Sequence, residues 1–218
     1  MRIYSIFRSI DGEVNPYFQG CPTVFIRFAG CNLQCSYCDT KYAQDIKVGK
    51  DMSVEEIVEE IKKYNIDKVT ITGGEPLLQR EDLNCLISKL RPIKITVETN
   101  GSIDLERYKH PMIPDSWIVD YKLPSSGCMG KMKNKLFSNL RYNDFVKFVV
   151  EDKIDYAKAL QVMDQIVSPE CKVAFSPVSS KLQPSELADW MIRDNIKAIF
   201  NLQIHKYIWP DCGEGQEK

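Results

Sequence analysis

The chain has 218 residues, of which 44% are hydrophobic and 27% charged, with a formal net charge of -1. Such a composition suits a globular protein large enough to bury a core without staples, and it gives no electrostatic case for a nucleic-acid or anionic-membrane partner. The opening MRIYSIFRSIDGE is interrupted by Arg8, Asp11 and Glu13, so it lacks the apolar core of an export signal, and no apolar run approaches membrane-spanning length; a cytoplasmic protein is expected.

Strands and helices alternate along the chain. Residues 23–28, TVFIRF, read as an apolar strand that runs into a cysteine-rich loop at 30–40. Ser53 opens a helix, with Glu56 three positions later completing a capping box, and Val54, Ile57, Val58 and Ile61 recur at helical spacing. The β-branched stretch 68–72 is a strand ending at Gly73–Gly74. Residues 82–90 read as a helix and 93–98 as a strand closed by Thr99–Asn100–Gly101. The second half repeats the pattern, with strands at 117–121, 144–150, 172–176 and 198–204 and helices at 156–166 and 185–193. Alternation of this kind implies parallel strands joined by right-handed crossovers. About six core strands are too few for a closed eight-stranded barrel, so the fold class is α/β, a partial, open β/α barrel of about six mainly parallel strands. No repeat or Pro/Gly/Ser linker divides it, and residues 1–218 are expected to form one domain. Ligands of such folds sit beyond the carboxyl ends of the strands.

The eight cysteines are unevenly placed, and Cys31, Cys35 and Cys38 crowd into GCNLQCSYCDT. In a long chain without an export signal, such a cluster points to a metal or redox site rather than to disulfides. Thiolates select zinc, copper(I) or iron–sulfur clusters. Structural zinc wants four ligands in two separated knuckles, and here there is neither a second Cys-x2-Cys nor a His pair, since His110 and His205 lie far apart. Three thiolates suit three irons of a 4Fe–4S cube and leave the fourth iron open for a small molecule. A zinc site completed by the remote Cys21 or Cys128 is the rival reading.

The spacing Cys-x3-Cys-x2-Cys resembles the signature of the radical S-adenosylmethionine (SAM) superfamily. The resemblance implies that SAM chelates the open iron and is cleaved to methionine and a 5'-deoxyadenosyl radical. It places Tyr37, Cys38 and Asp39 beside the cosubstrate, with Tyr37 near the adenine. It also places there Gly74 and Glu75 of the GGEP segment, Asp120, Tyr121 and Lys122 at a further strand end, and Ser176, Pro177, Val178 and Ser179 at another. Glycines let backbone come close to a ligand. For Tyr37 a core or surface role stands beside this one, and each later motif also reads as a turn.

Ile10–Asp11–Gly12–Glu13, the run from Phe25 to Leu33, Cys38–Asp39–Thr40, TGGEP and Gln203–Ile204–His205–Lys206 together resemble the 7-carboxy-7-deazaguanine synthase family of queuosine and deazapurine biosynthesis. That resemblance implies conversion of 6-carboxy-5,6,7,8-tetrahydropterin to 7-carboxy-7-deazaguanine by radical ring contraction with loss of ammonia. It further implies Mg2+ beside SAM and the cluster, a homodimer, and a reductant such as flavodoxin or ferredoxin. Within residues 1–22 the turn Ile10, Asp11, Gly12 and Glu13 would read the aminopyrimidine edge. Arg27 would clamp the substrate carboxylate, and Thr72 and His205 would add contacts. Thr40 offers a hard oxygen to Mg2+, or else an ordinary helix N-cap. Glu13 and His205 are the candidates for general acid or base. The turn departs from the usual Gln-Gly-Glu-Gly of the family, and the tail DCGEGQEK extends beyond the His-Lys motif, where some members place their chain end near substrate. Two other readings remain at this level: a radical activase of a glycyl-radical partner, and a non-catalytic metal-binding module.

Overall fold

The computed structural model describes residues 1–17, 19–105 and 113–210; His110, Cys212 and the tail DCGEGQEK lie outside them. β1 (Arg2–Ile10) pairs antiparallel with β2 (Pro22–Phe28), and the two-residue β3 (Lys50–Asp51) flanks β1 on its other side. Then follow α1 (Val54–Lys62), β4 (Lys68–Gly73), α2 (Arg80–Leu90), β5 (Lys94–Thr99), β6 (Ser116–Tyr121), the single-turn α3 (Asn134–Phe137), β7 (Phe145–Val150), α4 (Lys153–Gln165), β8 (Lys172–Pro177), α5 (Pro184–Arg193), the short β9 (Ile199–Phe200) and α6 (His205–Ile208). Among the described residues these strands form one nine-stranded sheet in the order β3-β1-β2-β4-β5-β6-β7-β8-β9. Every pairing from β2 onward is parallel.

Apart from the edge strand β3, strand order follows chain order, so each parallel crossover turns the same way and the sheet rolls toward a barrel that stays open between β3 and β9. The expected partial barrel therefore forms, with more strands than the six anticipated. The first of the additional strands falls within residues 1–22, of which residues 2–10 are β1 and only the remainder is a turn. Arg2, Arg8 and the serines of β1 mask its two-residue period, because β1 lies near the sheet edge, where half-exposed polar positions are tolerated.

The pleat sorts each strand into two faces. Ile26, Phe28, Val69, Ile71, Ile95, Val97, Val146 and Phe148 face outward into the main core with α1 and α2 residues such as Ile57, Ile61, Leu83 and Leu86. The capping box of α1 is present, with the Ser53 hydroxyl accepting from Glu56 N at 3.1 Å and the Glu56 carboxylate accepting from Ser53 N at 2.7 Å. α4 begins before residue 156 because Asp152 caps it, accepting from Ile154 N and Asp155 N at 2.8 and 2.9 Å.

The concave face is different. Its lower part is plugged by the turn that follows β1. Val14 packs on Ile118, Phe145 and Ala174. The Asp11 carboxylate pairs with buried Lys68 at 2.7 Å and accepts from the Thr70 hydroxyl at 2.9 Å. The side-chain oxygen of Asn15 accepts from the same ammonium at 3.0 Å. A polar turn can sit there because its polar groups find partners on the inward faces of β4 and of the segment after β9. Truncating the plug, Val14→Ala, should cost about 2 kcal/mol of stability, read as a lower urea midpoint with an unchanged m-value.

Candidate active site

Above the plug, at the carboxyl ends of the strands, opens a cavity of about 710 Å3. Cys31, Cys35 and Cys38 line one wall, and all three are free thiols. Their loop is fastened on three sides. Gly30 N and Cys31 N donate to Ala43 O and Gln44 O at 2.8 and 3.0 Å, within the segment that follows the loop. Ser36 N and the Ser36 hydroxyl donate to the carbonyls of Ser126 and Ser125 at 3.2 and 2.6 Å, in the turn after β6. On the third side Gly74 N donates to Phe28 O at 2.9 Å and Glu75 N to Gly30 O at 2.8 Å.

This third contact explains the paired glycines. A Cβ on Gly74 would lie 2.1 Å from the Gly30 carbonyl oxygen, and one on Gly73, whose φ is +132°, would lie 2.3 Å from Phe28 backbone atoms. The bare backbone at Gly73–Gly74 lets the root of the cysteine loop lie against the end of β4. Glu75 completes the joint from below: its carboxylate accepts from Leu77 N at 2.9 Å, the Thr99 hydroxyl at 2.8 Å and Asn100 N at 2.7 Å. Burial pushes its pKa up to about 7 against those donors. Asn100 then reaches back, its amide donating to Asn32 at 3.0 Å and to the Cys31 sulfur at 3.7 Å.

The donor set fits an iron–sulfur cube. Among the described residues no three His, Cys, Asp or Glu side chains converge on one point as ligands of a single ion would, whereas three thiolates that each bind a different iron need no common point. Burial pushes the Cys31 thiol above its ordinary pKa and the Cys35 thiol to about 12, so loading a metal here displaces protons. Two buried polar atoms on the cavity wall, the Tyr37 hydroxyl and Glu98 Oε1, have no hydrogen-bond partner in the chain, which is a cost that a polar ligand would relieve.

The opposite wall and floor carry charge. Lys147 of β7 pairs with Glu13 at 3.1 Å and Asp120 at 3.2 Å, and Lys122 pairs with Asp120 at 2.6 Å. Burial would raise the Asp120 pKa, but the two ammonium groups outweigh it and hold it below the ordinary carboxylate value. Glu98 accepts from the Thr72 hydroxyl at 2.6 Å, and its burial, opposed by Lys147, leaves its pKa at about 7. Glu13 also accepts from the Asn201 amide at 2.7 Å. Burial lowers the His205 pKa, so the imidazole is a neutral group at physiological pH. It packs on Gly12, where a Cβ would come within 2.9 Å of its Nδ1. The Arg27 guanidinium lies over the rings of Phe7 and Tyr42 at 5.6 and 5.8 Å.

The Radical SAM superfamily model matches residues 25–110 of this sequence. A 7-carboxy-7-deazaguanine synthase of Clostridium acetobutylicum is 39% identical over 214 residues, which is 95% of this chain and 96% of the relative. The chain belongs to the 7-carboxy-7-deazaguanine synthase family. The crystal structure of QueE from Escherichia coli superimposes with a TM-score of 0.69 at 20% identity, covering 92% of each chain. That of Streptococcus suis SuiB bound to S-adenosylmethionine does so with a TM-score of 0.53 at 12% identity over 84% of this chain and 53% of that one. Both likenesses show the shared fold. As a radical SAM protein of this family, the chain is an enzyme that uses a 4Fe–4S cluster and SAM.

The chain gathers most of the residues singled out in its sequence. Ile10, Gly12, Glu13, Arg27, Tyr37, Asp39, Thr40, Thr72, Gly74, Asp120, Lys122, Val178, Ser179 and His205 all line the cavity with the three cysteines. Five do not. Asp11 is turned into the plug by Lys68 and Thr70. Glu75 serves the joint between β4 and β5. Tyr121 points outward into the core, with its ring 4.9 Å from that of Phe137. The Ser176 hydroxyl is taken by Asn201 at 2.7 Å, and Pro177 is buried at the end of β8. For Tyr121 the cause is the pleat, which turns its side chain to the face opposite Asp120 and Lys122; Asp11 and Glu75 lie outside the strands and are held by their own buried partners.

His205 reaches the site from α6 rather than from a long last strand. β9 is only two residues long, because Asn201 turns in toward Glu13 and Ser176, and Gln19 donates to Leu202 O at 3.0 Å. Thr40 sits at the start of a short 3-10 turn over residues 41–43 but makes no side-chain cap. Its hydroxyl lies 3.6 Å from the Cys38 sulfur. Lys147 and Phe7 were not singled out in the sequence. A lysine inside the apolar run Phe145–Val150 is the signal that would have found the first.

Gly74→Ala should displace the loop root and lose most of the cluster; iron and acid-labile sulfide per chain after anaerobic reconstitution measure this, with Leu78→Ala, an exposed neighbour, retaining wild-type loading.

Proposed function

We propose that this chain, as one radical SAM domain spanning residues 1–218, converts 6-carboxy-5,6,7,8-tetrahydropterin to 7-carboxy-7-deazaguanine with loss of ammonia, in queuosine or other deazapurine biosynthesis. The observation that carries the reading is a single cavity with three thiols on one wall and a fixed set of hydrogen-bonding and charged groups on the other. When bound, the cluster and SAM supply a 5'-deoxyadenosyl radical for hydrogen abstraction from the pterin.

The residues divide that work. Cys31, Cys35 and Cys38 hold the cluster. Lys122 offers a cation for the SAM carboxylate, and Tyr37, Val178 and Ser179 border its nucleoside. Arg27 receives the pterin carboxylate through its planar fork, and its face is already fixed by Phe7 and Tyr42. Glu13 and the backbone of Ile10 and Gly12 accept from the aminopyrimidine edge, and Glu98 Oε1 provides a further acceptor. His205, neutral and against Gly12, is placed to take or return a proton as ammonia leaves. Thr40 and Asp39 present oxygens that suit Mg2+. Trp209 and Pro210 stand at the rim, where they help to exclude water. A small reductant such as flavodoxin or ferredoxin supplies the electron, and the working form is a homodimer in the cytoplasm. Among the described residues no helix is long and apolar enough to cross a membrane.

The test is anaerobic reconstitution followed by mass spectrometry. The carboxypterin should stimulate release of 5'-deoxyadenosine and yield 7-carboxy-7-deazaguanine. Stimulation by a glycyl-radical partner but not by the pterin would reject this reading, and so would protein that never cleaves SAM. Cys35→Ala should abolish both cluster absorbance and turnover.

A further inference from the structure

Lys147 occupies the third position of β7, between Val146 and Phe148, which face the core. Its side chain is 9% exposed. A buried ammonium is costly unless it is paired and hydrogen-bonded, and this one sits between carboxylates from separate elements. From the turn after β1, Glu13 Oε1 lies 3.1 Å away; from β6, Asp120 Oδ1 lies 3.2 Å away. Glu98 of β5 adds to the negative field at the same point. Beyond Asp120 stands Lys122, and beyond Glu13 stands His205. Register neighbours enforce the arrangement, since Asp120 and Lys147 are directly opposite on β6 and β7, and Ala174 opposite Lys147 on β8 adds no charge.

We propose that Lys147 is a positioning residue: it fixes the Glu13 carboxylate of the substrate turn against Asp120 of the cosubstrate wall, so that Glu13 meets the pterin as a charged acceptor. This rests on the pterin reading above. Lys147 lines the same cavity, and the role assigned to it is exercised through Glu13, with which it pairs at 3.1 Å. Without it, Glu13, Glu98 and Asp120 share one floor with Lys122 as the nearby cation. Like charges at that distance favour uptake of a proton. The proton would have to leave before Glu13 could accept from the pterin amine, so binding should become more pH-dependent, weak at neutral pH and recovering as pH rises.

The experiment is calorimetric titration of reconstituted holoprotein, with SAM and no reductant, using oxidised 6-carboxypterin between pH 6 and 8. Wild type and Glu13→Gln should share one pH profile, set by Glu98 and by the ring proton of the probe rather than by Glu13. Lys147→Met should bind at least about tenfold more weakly at pH 7 and regain affinity relative to wild type toward pH 8. Adding Glu13→Gln to Lys147→Met should cost much less than Glu13→Gln costs alone, because both act on one contact. A folded Lys147→Met protein with wild-type affinity and the wild-type pH profile, or fully additive losses in the double variant, overturns the proposal. Wild type that does not bind 6-carboxypterin at all overturns the pterin reading and this proposal with it. If Lys147→Met does not fold, wild type decides. A proton exchange on binding at pH 7 that Glu13→Gln leaves unchanged supports the proposal, and one that Glu13→Gln abolishes overturns it.

Discussion

The cavity depends on a backbone-to-backbone contact. The end of β4 and the root of the cysteine loop approach so closely that the Gly30 carbonyl oxygen occupies the place of a Gly74 side chain. Amide hydrogen bonds from Gly74 and Glu75 close that joint, and the buried Glu75 carboxylate ties it onward to the end of β5. Three thiols that must each meet a different iron need a loop whose shape is settled before metal arrives. Short-range sterics supply that shape, since the loop itself contains no regular element to hold it.

Electrostatics organise the other half. In an open barrel with an apolar outer face, the concave face has room for a second set of side chains, and here that set is polar from Lys68 at the bottom to Lys122 at the top. The ion pairs are chained through shared partners: Glu13 to Lys147, Lys147 to Asp120, Asp120 to Lys122. A chain of this kind keeps charges buried at tolerable cost, because each has an opposite neighbour, and it leaves selected atoms such as Glu98 Oε1 without protein partners.

Much of this was legible beforehand. The cysteine spacing, the GGEP segment and the alternation of strands with helices were enough to specify a partial barrel with its site at the strand ends. The residues that stand away from the cavity do so for local reasons. Tyr121 is turned to the core by the pleat, whereas Asp11 and Glu75, beyond the ends of their strands, are drawn to buried partners, Lys68 and Thr70 for the one and Thr99 and Asn100 for the other. The inward set was nonetheless written in the strands as polar residues at alternate positions, namely Thr70 and Thr72, Thr96 and Glu98, Asp120 and Lys122, and the solitary Lys147. β1 escaped notice because an edge position tolerates polar residues, and the brevity of β9 escaped because it depends on where Asn201 finds its partners, some 188 residues away in the case of Glu13.

That last contact has a temporal consequence. Glu13 is made 188 residues before its amide donor, Asn201. The loop that holds the cysteines can complete its fastenings on β4, β5 and the turn after β6 once Ser126 has emerged, whereas the wall facing it cannot close until residues near 200 arrive. Contacts so distant along the chain form late. During synthesis there is accordingly an interval in which the cysteine loop has its final shape and still lies open to whatever machinery delivers iron and sulfide.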